Sequence, residues 1–199
     1  MEDDALDRDA RIKLSIGTKE RGDADGEFND PLGLVFDHHR GLLLVADCSN
    51  DRVQVFSCDG DDDCSFVSKF GEQGDQPGQF RCPWGIAIDH DHDRMLVTDY
   101  ANDRVQSWSL SEQSFLSCIG HQGSGDLEFF NPRGIAIDKH HRRIIIADSN
   151  HNRLCSCRRS IFRSCSRSAR GKDLDLASST VQQRLRSTMI DIESSSVIP

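Results

Sequence analysis

Three kinds of residue in this chain have the chemistry to act as ligands or catalysts. Histidines stand in pairs at His38 and His39, His90 and His92, and His140 and His141. Neutral imidazoles so grouped would suit a metal or a pH-responsive face. Asp59, Asp61 and Asp63 alternate between Cys58 and Cys64 as in a calcium loop. The spacing then fails, because the twelfth position is Phe70, where an EF-hand needs Glu. The eight cysteines (Cys48, Cys58, Cys64, Cys82, Cys118, Cys155, Cys157 and Cys165) include no Cys-x-x-Cys pair, the strongest zinc signature. Cys155, Cys157 and Cys165 offer only a Cys-x-Cys and a distant third thiol. No nucleophile stands beside an evident base. The expectation is therefore a chain with no catalytic residues, no metal and no cofactor. The histidines read as polar turn residues facing water, on turns that splay apart, and the aspartate run as a solvated hairpin loop. The cysteines read as reduced cytosolic thiols packed as small hydrophobes. A Cys58–Cys64 bridge is geometrically open, but that compartment argues against it.

The ionic residues that do recur point to structure. Asp47, Asp99 and Asp148 are spaced by 52 and 49 residues, as are Arg52, Arg104 and Arg153, and as are Gly33, Gly85 and Gly134. Each set belongs to one repeated stretch, most clearly Pro83–Arg104: Pro-Trp-Gly-Ile-Ala-Ile-Asp, a charged turn, Arg-Met-Leu-Val-Thr-Asp, then Tyr-Ala-Asn-Asp-Arg. The upstream copy starts at Pro31 and carries Asp37; the downstream copy starts at Pro132 and carries Asp138, and Asp89 holds the same place between them. A period near fifty residues marks stacked supersecondary units. Gly-Ile-Ala-Ile-Asp alternates as a strand does, and Arg143–Asp148 is a short apolar run bounded by charges. Asp-x-x-Asn-x-Arg is a turn, since Asn and Asp tolerate left-handed backbone. Third strands follow at Val53–Phe56 and Val105–Trp108, fourth strands at Ser65–Phe70 and Ser114–Ile119. Four short antiparallel strands per repeat make a propeller blade. The fold expected is all-β: a partial β-propeller of three four-stranded antiparallel blades, with a tail that is irregular apart from one short helix.

The motif Gly-x-Phe-x-x-Pro-x-Gly-Ile-Ala-Ile-Asp, followed by Arg-Ile-Ile-Ile-Ala-Asp-Ser and Asn-x-Arg-Val-Gln-Val-Phe, resembles the NHL repeat. Gly78, Phe80, Pro83, Gly85, Asp89, Asp99, Asn102 and Arg104 carry it most fully, and the third copy has His151 in place of the Asn. The resemblance spans roughly Ser15–Arg153. It implies a six-bladed propeller that serves mostly as a recognition platform, in some relatives as the substrate-recognising part of ubiquitin ligases.

The division expected is an acidic N-terminus (1–10), a propeller arc (11–157, with repeats at about 15–70, 71–119 and 120–157) and a basic Ser/Arg-rich linker with a short amphipathic helix (158–199). The helix is placed at Thr180–Glu193, where Val181, Leu185, Met189 and Ile192 share one face. Ile12, Leu14 and Ile16 alternate as an outer strand of a preceding blade would. After Arg153 the repeat pattern fades, so blade three is expected to break off near residue 154. Three blades are half of a six-bladed ring, which leaves open faces able to self-associate, or else a fragment of a longer protein. Residues 1–157 carry a net charge of −13 and residues 158–199 a net of +4. The acidic body disfavours nucleic acid, though a local basic cluster would still bind RNA. No apolar run approaches the length of a membrane span and no signal sequence is evident, so a cytoplasmic setting without membrane contact is expected.

Blade residues serve packing and the loops at strand ends serve partners. Glu20–Asp30, Glu72–Cys82 and Gln122–Asn131, with the turns Cys48–Asp51, Tyr100–Asp103 and Ser149–Asn152, should share one rim. The partner-contacting candidates there are Phe28, Arg81, Trp84, Tyr100, Phe130 and Arg133, since aromatics and Arg dominate interface energetics. Burial under the loops is the competing role for the aromatics. The recurring Asp and Arg should hold turns rather than a ligand. The leading expectation is a non-catalytic scaffold for protein recognition, with an adaptor role in the ubiquitin pathway by resemblance. An RNA-binding surface is the second reading, and a fragment of a metal-dependent propeller lyase or hydrolase the third.

Overall fold

The computed structural model describes residues 15–58 and 63–162. The acidic start, the aspartate loop and the Thr180–Glu193 helix lie outside them. Among the described residues, eleven strands form three sheets, each an antiparallel meander in chain order. Blade one contains β1 (Pro31–Asp37), β2 (Leu42–Asp47), β3 (Arg52–Ser57) and β4 (Ser65–Phe70). Blade two contains β5 (Pro83–Asp89), β6 (Arg94–Asp99), β7 (Arg104–Ser109) and β8 (Phe115–Ile119). Blade three contains β9 (Pro132–Asp138), β10 (Arg143–Asp148) and β11 (Arg153–Arg158). The third sheet thus has three described strands rather than four. It does not break off at residue 154, because β11 pairs with β10 in unbroken register from Asp148–Arg153 to Arg143–Arg158.

The second and third strands of each blade are joined by a one-turn 3-10 helix closed by a left-handed residue: Asp51, Asp103 and Asn152, all with φ of 52–53°. Asp and Asn accept that backbone more readily than most residues. The first strands carry a register irregularity just after their proline, between Pro31 and Leu34 and between Pro83 and Ile86. Such a bulge turns the Pro-x-Gly segment away from the sheet plane.

Adjacent blades meet by backbone as well as by side chain. A methyl group on Gly33 would lie 2.0 Å from the Trp84 carbonyl oxygen, and one on Gly85 2.3 Å from that of Arg133. Only glycine permits the inner strands to approach so closely.

Between blades one and two, Phe70, Phe80 and Trp108 form a buried aromatic cluster with centroid separations of 4.6–6.5 Å, packed with Leu44, Val55, Met95 and Val97. Between blades two and three the position of Trp108 is held by Cys157. Volume there is restored by Ile161 and Phe162, which fold back against Leu96, Val105, Ile144 and Ile146. Phe162 lies under the Arg94 guanidinium at 5.1 Å, and Arg159 is buried with ion pairs to Asp89 and Asp91. The segment just after β11 is therefore an integral packing element rather than a free basic linker.

Among the described residues, two disulfides correct the reduced-thiol expectation. Cys58 pairs with Cys64, and Cys48 pairs with Cys82 across the first blade junction, with Cα atoms 4.2 Å apart. Such bonds persist in oxidising compartments, so they count against the cytoplasmic expectation. Among the described residues, no helix is long and apolar enough to cross a membrane.

Candidate functional site

The rim that carries the candidate residues is assembled by one repeated ionic device. In blade two, Asp99 is fully buried and accepts hydrogen bonds from the Arg81 amide (2.7 Å), Asn102, Arg104 Nε (2.8 Å) and Gln106. Arg104 spends its remaining donors on the carbonyls of Asp75, Gln76 and Gln79. A single Asp–Arg pair thereby ties the 3-10 turn to the long loop beside it. Asp47 with Arg52 does the same for the loop through Asp23, Ala24 and Glu27. Asp148 with Arg153 does so for Ser124, Gly125 and Glu128, with His151 in the place of the Asn. These residues hold turns, as their recurrence indicates.

The setting of each pair differs along the arc. Burial pushes the Asp99 carboxyl above its ordinary value, and its hydrogen bonds only partly offset this. Burial also acts on Asp148, but there the Phe130 amide, Arg153 and His151 outweigh it and hold the carboxyl below its ordinary value.

With loops and turns fixed, the side chains on the rim can be placed. Trp84 and Arg133 are the middle residues of consecutive Pro-x-Gly segments, and Tyr100 opens the 3-10 turn of blade two. The Trp84 and Tyr100 rings lie 5.0 Å apart, and the Arg133 guanidinium sits 4.6 Å above Trp84 and 5.5 Å from Tyr100. Trp84 and Tyr100 are half-buried and Arg133 is exposed. Among the described residues its guanidinium has no carboxylate partner, so its N–H edge stays available while its face is held by the rings. The spacing of the Pro-x-Gly segments is the only sequence signal that predicts this convergence.

The other candidates do not join the cluster. Phe130 is 37% exposed and lies beside His151 at 5.8 Å. Arg81 is exposed, and its backbone serves the Asp99 and Ala101 bonds. Phe28 occupies the place of Phe80 and Phe129, which are fully buried in their blades; it packs 5.6 Å from Phe56 beneath Gly17. Its geometry is that of loop packing.

On the opposite rim the histidine turns do not all splay apart. His39 and His90, from neighbouring blades, stack at 4.2 Å with planes 17° apart, and His90 Nε2 lies 3.6 Å from the buried Asp37. Burial pulls the His90 imidazole below its ordinary value despite Asp37. Among the described residues no three His, Cys, Asp or Glu side chains are grouped to hold a metal ion. Burial also pushes the Cys157 thiol up to about 12, which disfavours the thiolate a metal would need.

A family model described as a 6-bladed beta-propeller matches residues 32–121, just under half of the chain. None of the curated proteins compared matches the sequence. Among solved structures, a periplasmic gluconolactonase (PpgL) from Pseudomonas aeruginosa is 16% identical with a TM-score of 0.50, covering 63% of this chain and 34% of its own. An auxiliary nutrient binding protein from Bacteroides thetaiotaomicron VPI-5482 is 14% identical with a TM-score of 0.51, covering 62% of this chain and 36% of its own. The chain thus spans about a third of the length of these structures, and the likeness is one of fold.

Proposed function

We propose that this chain is a protein-recognition scaffold whose contact surface is the rim of blades two and three, centred on Trp84, Tyr100 and Arg133. The observation that carries this reading is the stacked guanidinium with a free N–H edge. Held flat by two aromatic rings, it presents a pre-oriented fork for a carboxylate beside apolar surface, an arrangement that suits an acidic-aromatic peptide segment. The NHL-like motif supports the same general role, and an adaptor function in the ubiquitin pathway rests on that resemblance alone.

The test uses Trp84 fluorescence with a panel of acidic peptides with and without an aromatic residue. Binding is expected to perturb the emission, and Arg133→Ala is expected to weaken it at least tenfold without shifting the unfolding midpoint. Equal titration of wild type and Arg133→Ala by emission, with Trp84→Ala binding as tightly as wild type by calorimetry, would overturn the assignment.

A second reading, binding of single-stranded RNA, draws on Arg133 and Arg81 being exposed on the same rim. Base stacking on Trp84 and Tyr100 would supply its energy. Electrophoretic shift at two salt concentrations separates it from the first, because phosphate contacts weaken steeply with salt.

A further inference from the structure

The two ends of the arc are complementary, and the junctions inside the chain show what each end is built to receive. At both internal junctions a glycine accepts the carbonyl of the following blade's Pro-x-Gly segment, Gly33 under Trp84 and Gly85 under Arg133. Gly134 stands at the same position in blade three, yet a methyl group there would meet only Ala147, at 3.6 Å. Both junctions also use the left-handed residue of one blade to accept a backbone N–H from the next: Asp51 from Cys82 and Asp103 from Asn131, each at 2.7 Å. Asn152 is the third residue of that set and is exposed. The side chains follow suit. Val53 and Val105 are fully buried by the following blade, but their counterpart Leu154 is 75% exposed.

The front of blade one offers the reciprocal surface. Leu34 and Phe36 hold the places of Ile86 and Ile88, which are 7% and 9% exposed, yet they are 66% and 36% exposed themselves. Asp30 matches Cys82 and Asn131 in sequence position and in its positive φ of 53°. Gly17 (φ 92°) packs on Phe28 as Gly71 (φ 88°) packs on Phe80 and Gly120 (φ 94°) on Phe129. The loop that enters blade one is therefore built like the loops that enter blades two and three.

We propose that two copies of this chain associate head to tail, the front of blade one of each packing on blade three of the other. Three blades of a six-bladed architecture sweep half a turn, so two identical head-to-tail contacts close the ring. Burial of Leu32, Leu34, Phe36 and Leu154 drives the contact.

Sedimentation equilibrium of the full chain across roughly 1–100 µM tests this. The expected species is twice the 22.3 kDa chain mass. Gly134→Ala is expected to raise the dissociation constant at least tenfold, because its methyl group would make only an ordinary contact with Ala147 within one copy but would meet a carbonyl across the contact. Its circular dichroism and dilute-sample unfolding midpoint should match wild type. Leu34→Asp should also weaken the dimer, because Leu34 is 66% exposed in one copy and a charge there would be buried unpaired across the contact. A monomer across the whole range, a trimer or open polymer, or a dimer indifferent to both substitutions would each overturn the proposal.

Discussion

At the residue scale, one Asp–Arg pair is asked to do the same work in three settings. Arg104 is almost wholly buried and its partner Asp99 fully so, while Arg153 is 36% exposed. Arg104→Ala would strand a buried carboxylate and release three loop carbonyls, so we expect a loss of about 3–5 kcal/mol, the usual cost of breaking a buried pair. Arg153→Ala should cost clearly less, since water can replace its contacts. Urea denaturation of both variants checks the order, and equal losses would contradict it. His90 gives a pH dependence. Its folded value is lowered by burial, with Asp37 pulling the other way and His39, Lys139 and Arg40 adding to the lowering. The unfolded chain therefore binds more protons below about pH 6.5, and stability from this site falls as pH drops through that window and levels off below the folded value. His90→Asn should flatten the difference between denaturation midpoints at pH 7.5 and 5.5; an unchanged difference would remove His90 as its source.

At the element scale, the Pro-x-Gly segment decides how closely blades pack. Gly85→Ala puts a methyl group 2.3 Å from a backbone carbonyl, where no side-chain adjustment relieves it, so a loss of roughly 1–3 kcal/mol is expected. The same change at Gly134 should leave the folded monomer's stability within about 0.5 kcal/mol. The junction between blades one and two has its own covalent tie. Replacing Cys48 and Cys82 by Ser opens a 34-residue separation and should cost about 2–4 kcal/mol, read as a lower thermal midpoint in non-reducing buffer only. Under reductant, wild type should fall towards the variant. Most of these elements were legible in the sequence because the repeat carries them three times: β2, β4, β6 and β10 have the ends that its spacing predicts. The disulfides were not. Cys48 and Cys82 occupy different positions of the repeat, so periodicity pairs neither with the other, and only the fold of neighbouring blades brings them together. The stack of Trp84, Tyr100 and Arg133 was half-legible. Residue type and position on the rim single out its members, but their meeting depends on a bulge and on blade spacing.

At the scale of the whole molecule, the two internal junctions are unequal. The first is filled by Phe70, Phe80 and Trp108 and clamped by the Cys48–Cys82 disulfide. The second has Cys157 where the first has Trp108, and it borrows Ile161 and Phe162 from beyond the last strand. The repeat ceases to be readable at this point, because once the borrowed pair fills the space, β11 no longer needs the Val-Gln-Val-Phe type of sequence and alternates Cys and Ser instead. Blade three should then depend on Phe162 more than blades one and two do. Phe162 is 3% exposed, and Phe162→Ala should cost on the order of 3 kcal/mol. That loss should appear as sub-global opening rather than uniform weakening. Native-state hydrogen exchange should show the amides of β9, β10 and β11 losing protection by about a hundredfold, a factor that corresponds to about 2.7 kcal/mol, while those of β2, β3, β5 and β6 change little. Equal loss across all three sheets would mean that the arc opens as one unit and that the unequal filling of its junctions has no energetic consequence.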